Sequence, residues 1–408
     1  MSGPALHAFA GWGIELEYMI VDRHSLAVRP IADALLRDAN GRPVNEVARD
    51  GMGWSNELVL HLLEIKNLRP TADLAALTED FRAEVRAVNA ALAPLGARLM
   101  PGGAHPWMDP ASETRLWPHE NADIYLAYDR IFGCRTHGFA NLQSMHLNLP
   151  FAGDAEFARL HAAVRLLLPI LPALAAASPI VDGGPASWLD ARLAAYREHQ
   201  MRVPASMGRV VPDTASGRGE YETRVLAPMY RDIAPLDPAG TIRHEWLNAR
   251  GAIPRFERSA LEIRLIDAQE CPRADLAIAA AVTAAARALY EERYGDLAAQ
   301  QAMPTDALAA ILDTCIRAAE AATIPHPDYL RLLGLDSRPR LAGELWQRLI
   351  EASPPGSAWD APLQVILERG PLARRILRAT GPHPGRPRLA AVYGELCDCL
   401  DDGRLFTP

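Results

Sequence analysis

Two glutamates close to the amino terminus, Glu15 and Glu17, lie two residues apart in the segment GIELEYMIV. Apolar and polar residues alternate in the first half of this segment, which predicts a β-strand with both carboxylates on one face, roughly 7 Å apart at their Cα atoms. Two like charges this close repel each other, and a bound divalent cation would keep both ionised. For a lone E-x-E, however, the polar face of an edge strand in water is the better interpretation.

A second apolar segment, ELVLHLLEIK, also carries two acids. Glu64 interrupts the apolar run and Glu57 opens it, and residues 58–65 are predicted to form a strand. A spacing of seven places the two glutamates on opposite faces of a flat strand. Their convergence on one site therefore requires either a bulge between them or a position of Glu57 in the preceding turn.

Two more predicted strands carry polar side chains that could bind a metal or an anion. In NLQSMHLNLP, His146 and Asn148 share the polar face, and the imidazole is either a ligand or a hydrogen-bonded structural histidine. In ALEIRLID, Glu262 and Arg264 lie two residues apart, and a cross-strand salt bridge is the simplest alternative to a functional role.

The types of these residues favour hard cations and phosphate. Carboxylate oxygens are suitable ligands for Mg²⁺ or Mn²⁺, and the sequence has no cysteine–histidine cluster typical of zinc. Such cations bridge phosphate oxygens during phosphoryl transfer from ATP, and Arg264 could stabilise the same charge. The P-loop, dinucleotide-binding and nucleophile-elbow motifs do not occur, so those three classes have no motif support.

Length and charge limit the remaining classes. The chain has 408 residues, 49% hydrophobic and 23% charged, which is ordinary for a soluble globular protein. A net charge of −8 argues against non-specific nucleic-acid binding and favours small-molecule partners. We find no secretory signal and no apolar run long enough for a membrane span, and therefore expect a cytoplasmic protein. A homo-oligomer is compatible with the sequence.

The five cysteines are scattered, which predicts no disulfide framework. Cys397 and Cys399 are close enough to bind a metal together. We expect them instead to be a reduced, buried pair.

The elements that position these residues include both helices and strands. After Thr71, a predicted helix N-cap, apolar residues recur at spacings of three and four and define a helix with one buried stripe. The stripe consists of Leu74, Leu77, Phe81, Val85, Val88 and Leu92. Further helices are predicted at residues 155–168 and 274–290. Short strands with long connections favour an α+β fold with an antiparallel sheet.

The sequence also predicts one long loop and a division of the chain into two regions. Residues 204–238 are rich in Gly, Pro, Arg and Asp and are predicted to be a loop, either an active-site lid or a disordered surface segment. Residues 1–295 are predicted to form one catalytic domain. Residues 296–408, rich in Ala and Leu, are predicted to form a helical region that packs on it.

The order of the motifs resembles that of a known family. GIELEY, ELVLHLLEIKNLRP, GGAHP, QSMHLN, SPI, SWLDAR and LEIRLID follow one another between residue 11 and about residue 290. Each motif is weak alone, but the ordered set resembles the glutamate–cysteine ligase family, most closely its second bacterial group, the carboxylate–amine ligases. The resemblance implies a glutamine synthetase-like fold, in which a curved antiparallel sheet flanked by helices forms a bowl for divalent cations and ATP.

The resemblance also implies a reaction and a set of residues. ATP would activate a carboxylate, the γ-carboxylate of glutamate, as an acyl phosphate, and an amine such as that of cysteine would capture it as an amide. By motif position, six residues resemble metal ligands: Glu15, Glu17, Glu57, Glu64, His146 and Glu262. Glu262 and Arg264 resemble catalytic residues, and Arg250 and Arg264 resemble nucleotide-binding residues. Three residues resemble substrate-binding positions: Arg192, His105 and Asn148.

Relatives often carry H-V-H where this chain has His146-Leu147-Asn148, so that an amide replaces the second imidazole. Two other functions remain open. One is a phosphotransferase on the same fold, comparable to guanidino kinases, which would release no inorganic phosphate. The other is a non-catalytic, nucleotide-binding regulatory protein.

Overall fold

The computed structural model describes residues 5–408 and is built on one antiparallel sheet. Its eight strands are β1 (Gly13–Asp22), β2 (Glu46–Arg49), β3 (Met52–Asn56), β4 (Leu62–Asn67), β5 (Ala97–Met100), β6 (Ser144–Pro150), β7 (Ala252–Arg255) and β8 (Ala260–Asp267). Their order is β2-β3-β4-β1-β6-β8-β7, and β5 pairs with the end of β1. The predicted α+β class with an antiparallel sheet is therefore confirmed.

The predicted strand at residues 58–65 is only partly right. Its first four residues form the connection after β3, where Val59 makes an isolated bridge with Leu116. Strand β4 begins at Leu62 and pairs with both β1 and β3. The apolar run extends beyond the strand because the connection is itself buried at Val59.

The α-helices are α1 (Leu74–Leu92), α2 (Pro110–Glu113), α3 (Ala122–Phe132), α4 (His137–Ala140), α5 (Gly153–Leu167), α6 (Pro172–Ala175), α7 (Ala191–Tyr196), α8 (Arg218–Tyr221), α9 (Ala227–Ile233), α10 (Pro272–Tyr290), α11 (Leu297–Ala302), α12 (Thr305–Ala318), α13 (Pro327–Leu332), α14 (Ala342–Ala352), α15 (Asp360–Arg369), α16 (Leu372–Thr380) and α17 (Arg386–Asp402). Helices α1 to α9 lie between strands of the sheet along the chain, and α10 to α17 follow its last strand. Two further two-stranded sheets pair Ile180–Val181 with Gly184–Pro185 and Thr323–Ile324 with Arg340–Leu341.

Helix α1 has the predicted apolar stripe, and every residue of that stripe is buried. The predicted N-cap is wrong by two residues. The carboxylate of Asp73 accepts a hydrogen bond from the Ala76 N–H at 2.9 Å, whereas the backbone of Thr71 bridges that of Trp12. Thr71 is therefore used to hold the start of β1 instead of the start of the helix.

The two faces of β1 point to different environments. Ile14, Leu16 and Tyr18 are buried in the main hydrophobic core together with side chains of α1, α5 and α10. The alternate residues, including Glu15 and Glu17, point to the other face. This is the polar face of the sheet, and it carries the candidate site.

The C-terminal helices share the core of the sheet. Leu345 and Trp346 of α14 belong to the same cluster of buried side chains as Leu16. Helices α16 and α17 contribute to a second cluster that includes Met19 and Val21 of β1. The division after residue 295 stays a prediction, and residues 1–4 of the predicted first domain lie outside the described residues.

The predicted loop at residues 204–238 contains regular structure. Helix α8, the π-helix Glu222–Leu226 and α9 follow one another without interruption. No helix among residues 5–408 is long and apolar enough to cross a membrane. All five cysteines are free and buried, which includes the expected pair Cys397 and Cys399.

Candidate active site

Backbone pairing brings the predicted acids together on the polar face of the sheet. Glu15 of β1 lies opposite His146 of β6 on one side and opposite Lys66 of β4 on the other. Glu17 lies opposite Glu64 in the same register. Residues that face each other across antiparallel strands have their side chains within contact distance, so three strands contribute to one polar cluster.

The spacing of seven between Glu57 and Glu64 is explained by a hairpin. Ser55 of β3 pairs with Glu64 of β4, and Glu57 follows the last residue of β3. Glu57 therefore lies in the connection and Glu64 in the second strand of the hairpin, which was the second alternative left open by the sequence. Both carboxylates reach the same side without a bulge.

The carboxylate and imidazole groups form two overlapping sets with the spacing of metal ligands. One set consists of Glu15, Glu64 and His146, and the other of Glu17, Glu57 and Glu64. Within each set, one ligand atom per residue lies within 4.8 Å of the others. Glu64 belongs to both sets, so two adjacent cation positions could share its carboxylate.

Most of these acids have a partner in the protein. Glu15 Oε2 lies 2.8 Å from His146 Nδ1, and Glu17 Oε2 accepts hydrogen bonds from the N–H and the hydroxyl of Ser144, both at 2.8 Å. Glu64 Oε1 lies 3.0 Å from Lys66 Nζ. A carboxylate that orients a histidine ring is a common neighbour of metal sites. The other ring nitrogen of His146, Nε2, lies 3.2 Å from the Ser144 hydroxyl oxygen.

Glu57 differs from the other acids. Within residues 5–408 its carboxylate forms neither a hydrogen bond nor an ion pair. Burial, together with repulsion by Glu17 and Glu64, raises its pKa well above the ordinary value. Burial and the charge of Glu15 likewise raise the pKa of Glu64. Full ionisation of this cluster is therefore unfavourable unless a cation is added.

Glu262 is held by two arginines. Its Oε2 accepts a hydrogen bond from Arg255 Nε at 2.7 Å, and its Oε1 lies 3.0 Å from Arg264 Nε. Burial alone would raise the pKa of Glu262, but these two guanidinium groups lower it to about 2. Glu262 is not part of either ligand set within 4.8 Å. Its predicted role as a metal ligand stays a prediction, and the contact seen here positions Arg264.

An irregularity in β8 decides which side chains reach the site. The register with β6 shifts between Ile263 and Ile266, so one extra residue is accommodated next to Arg264. A bulge of this kind re-aims a side chain and reverses the alternation beyond it. Asp267, five residues after Glu262, therefore lies opposite Ser144 on the same face.

Arg192 lies beside this bulge and lines the candidate cavity. Its Nε donates a hydrogen bond to Asp267 Oδ1, and both side chains are buried. Gly103 of the GGAHP motif completes the contact, because a Cβ atom there would lie 2.2 Å from Asp267 Oδ2. The second glycine of this motif is therefore required by the position of Asp267.

A cavity of about 250 Å³ connects these groups. Glu17, Glu57 and His146 lie on it together with Arg264. A second part is lined by the aromatic residues Tyr125, Tyr128, Phe139, Tyr196, His199 and Trp246. The cavity thus combines an acidic wall, a guanidinium and an apolar aromatic wall.

Arg264 is suited to bind an anion in this cavity. Its Nε is buried without hydrogen-bond geometry to any neighbour, and no hydrogen bond from its remaining guanidinium nitrogens forms in the described part of the chain. Burial opposes the charge, but the neighbouring phenol Tyr196 and the acid Glu262 raise its pKa above the ordinary value. It therefore stays cationic and keeps donors free.

Arg250 and His105 belong neither to the two ligand sets nor to the lining of the cavity. Arg250 donates to the Ala205 carbonyl at 3.2 Å and to Asn248 Oδ1 at 3.1 Å, and it does not line the cavity. His105 is fully buried, with Nε2 2.8 Å from the Leu26 carbonyl oxygen. Their predicted binding roles stay predictions. Asn148, by contrast, donates to Glu15 Oε1 at 3.2 Å.

Several residues of the site were not predicted. Ser144 shares the polar face of β6 with His146, and Lys66 shares that of β4 with Glu64, so the alternation of each strand contained the signal. Arg255 lies on β7, whose pairing with β8 is decided by the tertiary fold. His199 follows a short helix and had no periodic signal at all.

Known proteins are similar to this chain in sequence and in fold. A model of glutamate–cysteine ligase family 2 matches residues 12–393. An uncharacterised protein of Archaeoglobus fulgidus is 32% identical over 394 residues, which cover 97% of this chain and 99% of that protein. A protein of Rubrobacter xylanophilus with the provisional name glutamate–cysteine ligase 2-3 is 27% identical over 285 residues, 68% of this chain and 69% of its own.

A solved structure extends the comparison to the fold. Glutamate–cysteine ligase of Francisella tularensis in complex with AMP has a TM-score of 0.64 at 10% identity, covering 98% of this chain and 90% of that chain. This likeness establishes the fold, whereas the family match establishes the class, which is that of the amide-forming carboxylate–amine ligases. The chain belongs to glutamate–cysteine ligase family 2. The matched range continues beyond residue 290 into the C-terminal helices.

Proposed function

We propose that the protein is an ATP-dependent ligase that activates the γ-carboxylate of glutamate as an acyl phosphate and joins it to an amine such as that of cysteine. One observation carries this proposal. Glu17 and Glu57, two of three carboxylates within 4.8 Å of one another, line the same small cavity as the guanidinium of Arg264. An acidic cluster in the same cavity as a guanidinium with unused hydrogen-bond donors suits a cation and the phosphate that it neutralises.

The residues of the cluster fit a hard divalent cation. The donors are carboxylate oxygens and one imidazole, which suits Mg²⁺ or Mn²⁺. The raised pKa of Glu57 supports this assignment, because a cation would offset the burial and repulsion that oppose its ionisation. Glu17, Glu57 and Glu64 would hold the cation, and His146 could add a nitrogen. When bound, the cation would withdraw charge from the phosphate oxygens.

The remaining roles belong to the protein itself. Arg264 would donate to the phosphoryl group as it moves from ATP to the carboxylate, and Glu262 would hold Arg264 in place. The aromatic part of the cavity would exclude water from the acyl phosphate, which would otherwise be hydrolysed. The match to a ligase family and the AMP bound to the similar Francisella protein both support the use of a nucleotide.

The proposal is tested by measuring ADP and inorganic phosphate with Mg²⁺, ATP, glutamate and a panel of amines. We expect both products only when glutamate and an effective amine are present, together with an amide whose mass equals the two substrates minus water. A stable phosphorylated product without phosphate release would indicate a phosphotransferase. The absence of turnover with every pair would contradict the ligase function.

A matched pair of arginine variants locates the chemistry. Arg264→Gln should lower kcat at least ~100-fold, the typical effect of removing one donor to a developing charge. Arg258→Gln removes an exposed arginine from the turn that connects β7 to β8, the strand of Arg264, and should leave turnover unchanged. Equal rates for the two variants would remove Arg264 from the proposed mechanism.

A further inference from the structure

His199 lies in the wall of the same cavity, three residues after α7. Its Nδ1 is within hydrogen-bond distance of the Tyr196 carbonyl oxygen. A carbonyl oxygen can only accept, so Nδ1 carries the proton and Nε2 keeps its lone pair. No group in residues 5–408 makes a hydrogen bond to Nε2. The lone pair is therefore available to a molecule in the cavity.

The imidazole is fixed in this orientation by its neighbours. Its ring lies 4.7 Å from the Phe139 ring at an angle of 71°, and 4.4 Å from the Tyr196 ring at 32°. Helix α4 approaches it closely at Gly138, where a Cβ atom would lie 2.7 Å from the Cβ of His199. A fixed ring with one committed nitrogen is the arrangement expected of a preorganised base.

The ring is also neutral at physiological pH. Burial lowers the pKa of His199 to about 4, although the hydrogen bond to the Tyr196 carbonyl opposes this, and the positive charge of Arg264 lowers it further. A phosphate bound to Arg264 would offset that charge. At a pKa of about 4 the imidazole is a weak base, and the bound phosphate should raise this pKa towards the range in which His199 can take a proton from the ammonium group.

The other titratable groups of the cavity have different assignments. The glutamates face the proposed cation site. Burial raises the pKa of the phenol Tyr125 to about 12 and raises those of Tyr128 and Tyr196 as well, which keeps all three protonated. The amine adds to a face of the acyl carbon, so it need not enter the acidic cluster, and the aromatic part of the cavity that contains His199 can receive it.

We propose that His199 is the base that accepts a proton from the amine substrate, an inference that rests on the proposed ligase function. An ammonium group has no lone pair, so it must lose a proton before it can attack. Nε2 takes that proton. The amine nitrogen then forms the C–N bond with the acyl carbon while the C–O bond to phosphate breaks, and the second proton leaves with the phosphate.

The test compares two acceptors in wild type and in His199→Asn. The Asn side chain can still donate to the Tyr196 carbonyl, but it cannot accept a proton as Nε2 does. With an amino-acid amine, which is protonated at neutral pH, we expect turnover to fall ~100-fold, the lower range for loss of a general base. With hydroxylamine, which is largely unprotonated at that pH, hydroxamate formation should stay within a few-fold. The amine-dependent rate of the variant should also rise tenfold per pH unit.

The controls separate this role from structural damage and from failure of the ligase function. His119→Gln changes a half-buried imidazole outside the cavity and should leave both activities unchanged. If His199→Asn does not fold by circular dichroism, His199→Gln takes its place. Equal loss with both acceptors, or no loss with either, would overturn the proposal. Wild-type protein that forms no hydroxamate would instead contradict the ligase function itself.

Discussion

Single residues in the site differ in how their charge is compensated. Glu262 has two guanidinium groups beside it, whereas Glu57 has no partner among residues 5–408. Both are acids in a confined environment, yet their pKa values are shifted in opposite directions because of these neighbours. Perturbed acids of this kind are concentrated at functional sites. The two residues should therefore respond differently to the same substitution.

Substitution of Glu57 should reduce the stabilisation by Mg²⁺ without lowering the stability of the metal-free protein. We expect Glu57→Gln to unfold at the same or a higher temperature than wild type without Mg²⁺ at pH 7, because burial and two like charges oppose the ionised side chain. Mg²⁺ at ~100 times its dissociation constant should stabilise wild type by about 2.7 kcal/mol and the variant by much less. Thermal unfolding with and without Mg²⁺ measures both effects. The exposed control Glu368→Gln should show the wild-type response to Mg²⁺.

Substitution of Glu262 should change the response to acid. Its folded pKa of about 2 is lower than the ordinary value of 4.5, so the ionised form contributes stability above pH 4.5 that is lost as the pH falls towards 2. This contribution is on the order of 3 kcal/mol. Urea unfolding of Glu262→Gln should lack this part of the acid-dependent loss. An identical pH dependence in wild type and variant would show that the two arginines do not stabilise the carboxylate.

At the scale of elements, two departures from regular strands assemble the site. The β3–β4 hairpin brings Glu57 beside Glu64, and the bulge in β8 turns Asp267 to the polar face. Asp267 then holds Arg192 and is contacted so closely by Gly103 that no side chain fits there. The GGAHP motif thus contributes a glycine whose missing side chain leaves room for Asp267 next to the site.

Substitution of this glycine should disturb the bulge. Gly103→Ala should lower the free energy of unfolding by about 1–3 kcal/mol, the usual cost of overpacking a buried position. Activity should fall as well, because Asp267 and Arg192 must move. Gly184→Ala is the matched control, since its Cβ would meet no atom within 4 Å. Urea unfolding that does not distinguish the two variants would contradict the close contact.

At the scale of the whole molecule, residues near position 406 contact helix α16 and the segment that follows β8. The buried carboxylate of Glu270, just after β8, pairs with Arg375 of α16 at 2.5 Å. Phe406 is fully buried, and its N–H donates to Glu270 Oε1 at 3.2 Å. Its carbonyl accepts from Arg375 Nη1 at 2.7 Å. The last residues therefore close a buried ion pair next to the strand that carries Arg264.

Loss of this closure should destabilise the entire protein. Phe406→Ala should cost about 3–5 kcal/mol, as expected for truncation of a buried aromatic ring. Thr407→Ala changes the next, exposed residue and should cost nothing measurable. Urea unfolding followed by both tryptophan fluorescence and ADP release would show whether the site is lost in the same transition. Loss of activity well before global unfolding would indicate that the two regions are independent.

The sequence by itself determined the parts of the site that follow from local alternation. The period of two in β1 and β6 places Glu15 and Glu17 on one face and His146 and Asn148 on one face, and it needs no information from distant residues. The α+β class followed from the lengths of strands and connections. The ordered motifs predicted the family, and the family match over residues 12–393 confirms it.

Only the tertiary structure decided how these faces are used. The position of Glu57 depends on a hairpin, that of Asp267 on a bulge, and the pairing of Glu262 with Arg255 on the alignment of β7 with β8. His199 reaches the cavity because α4 and the residues after α7 pack together at Gly138. Each of these contacts joins segments whose alignment is set by packing and register across the sheet, and a pattern read along one segment contains no information about it.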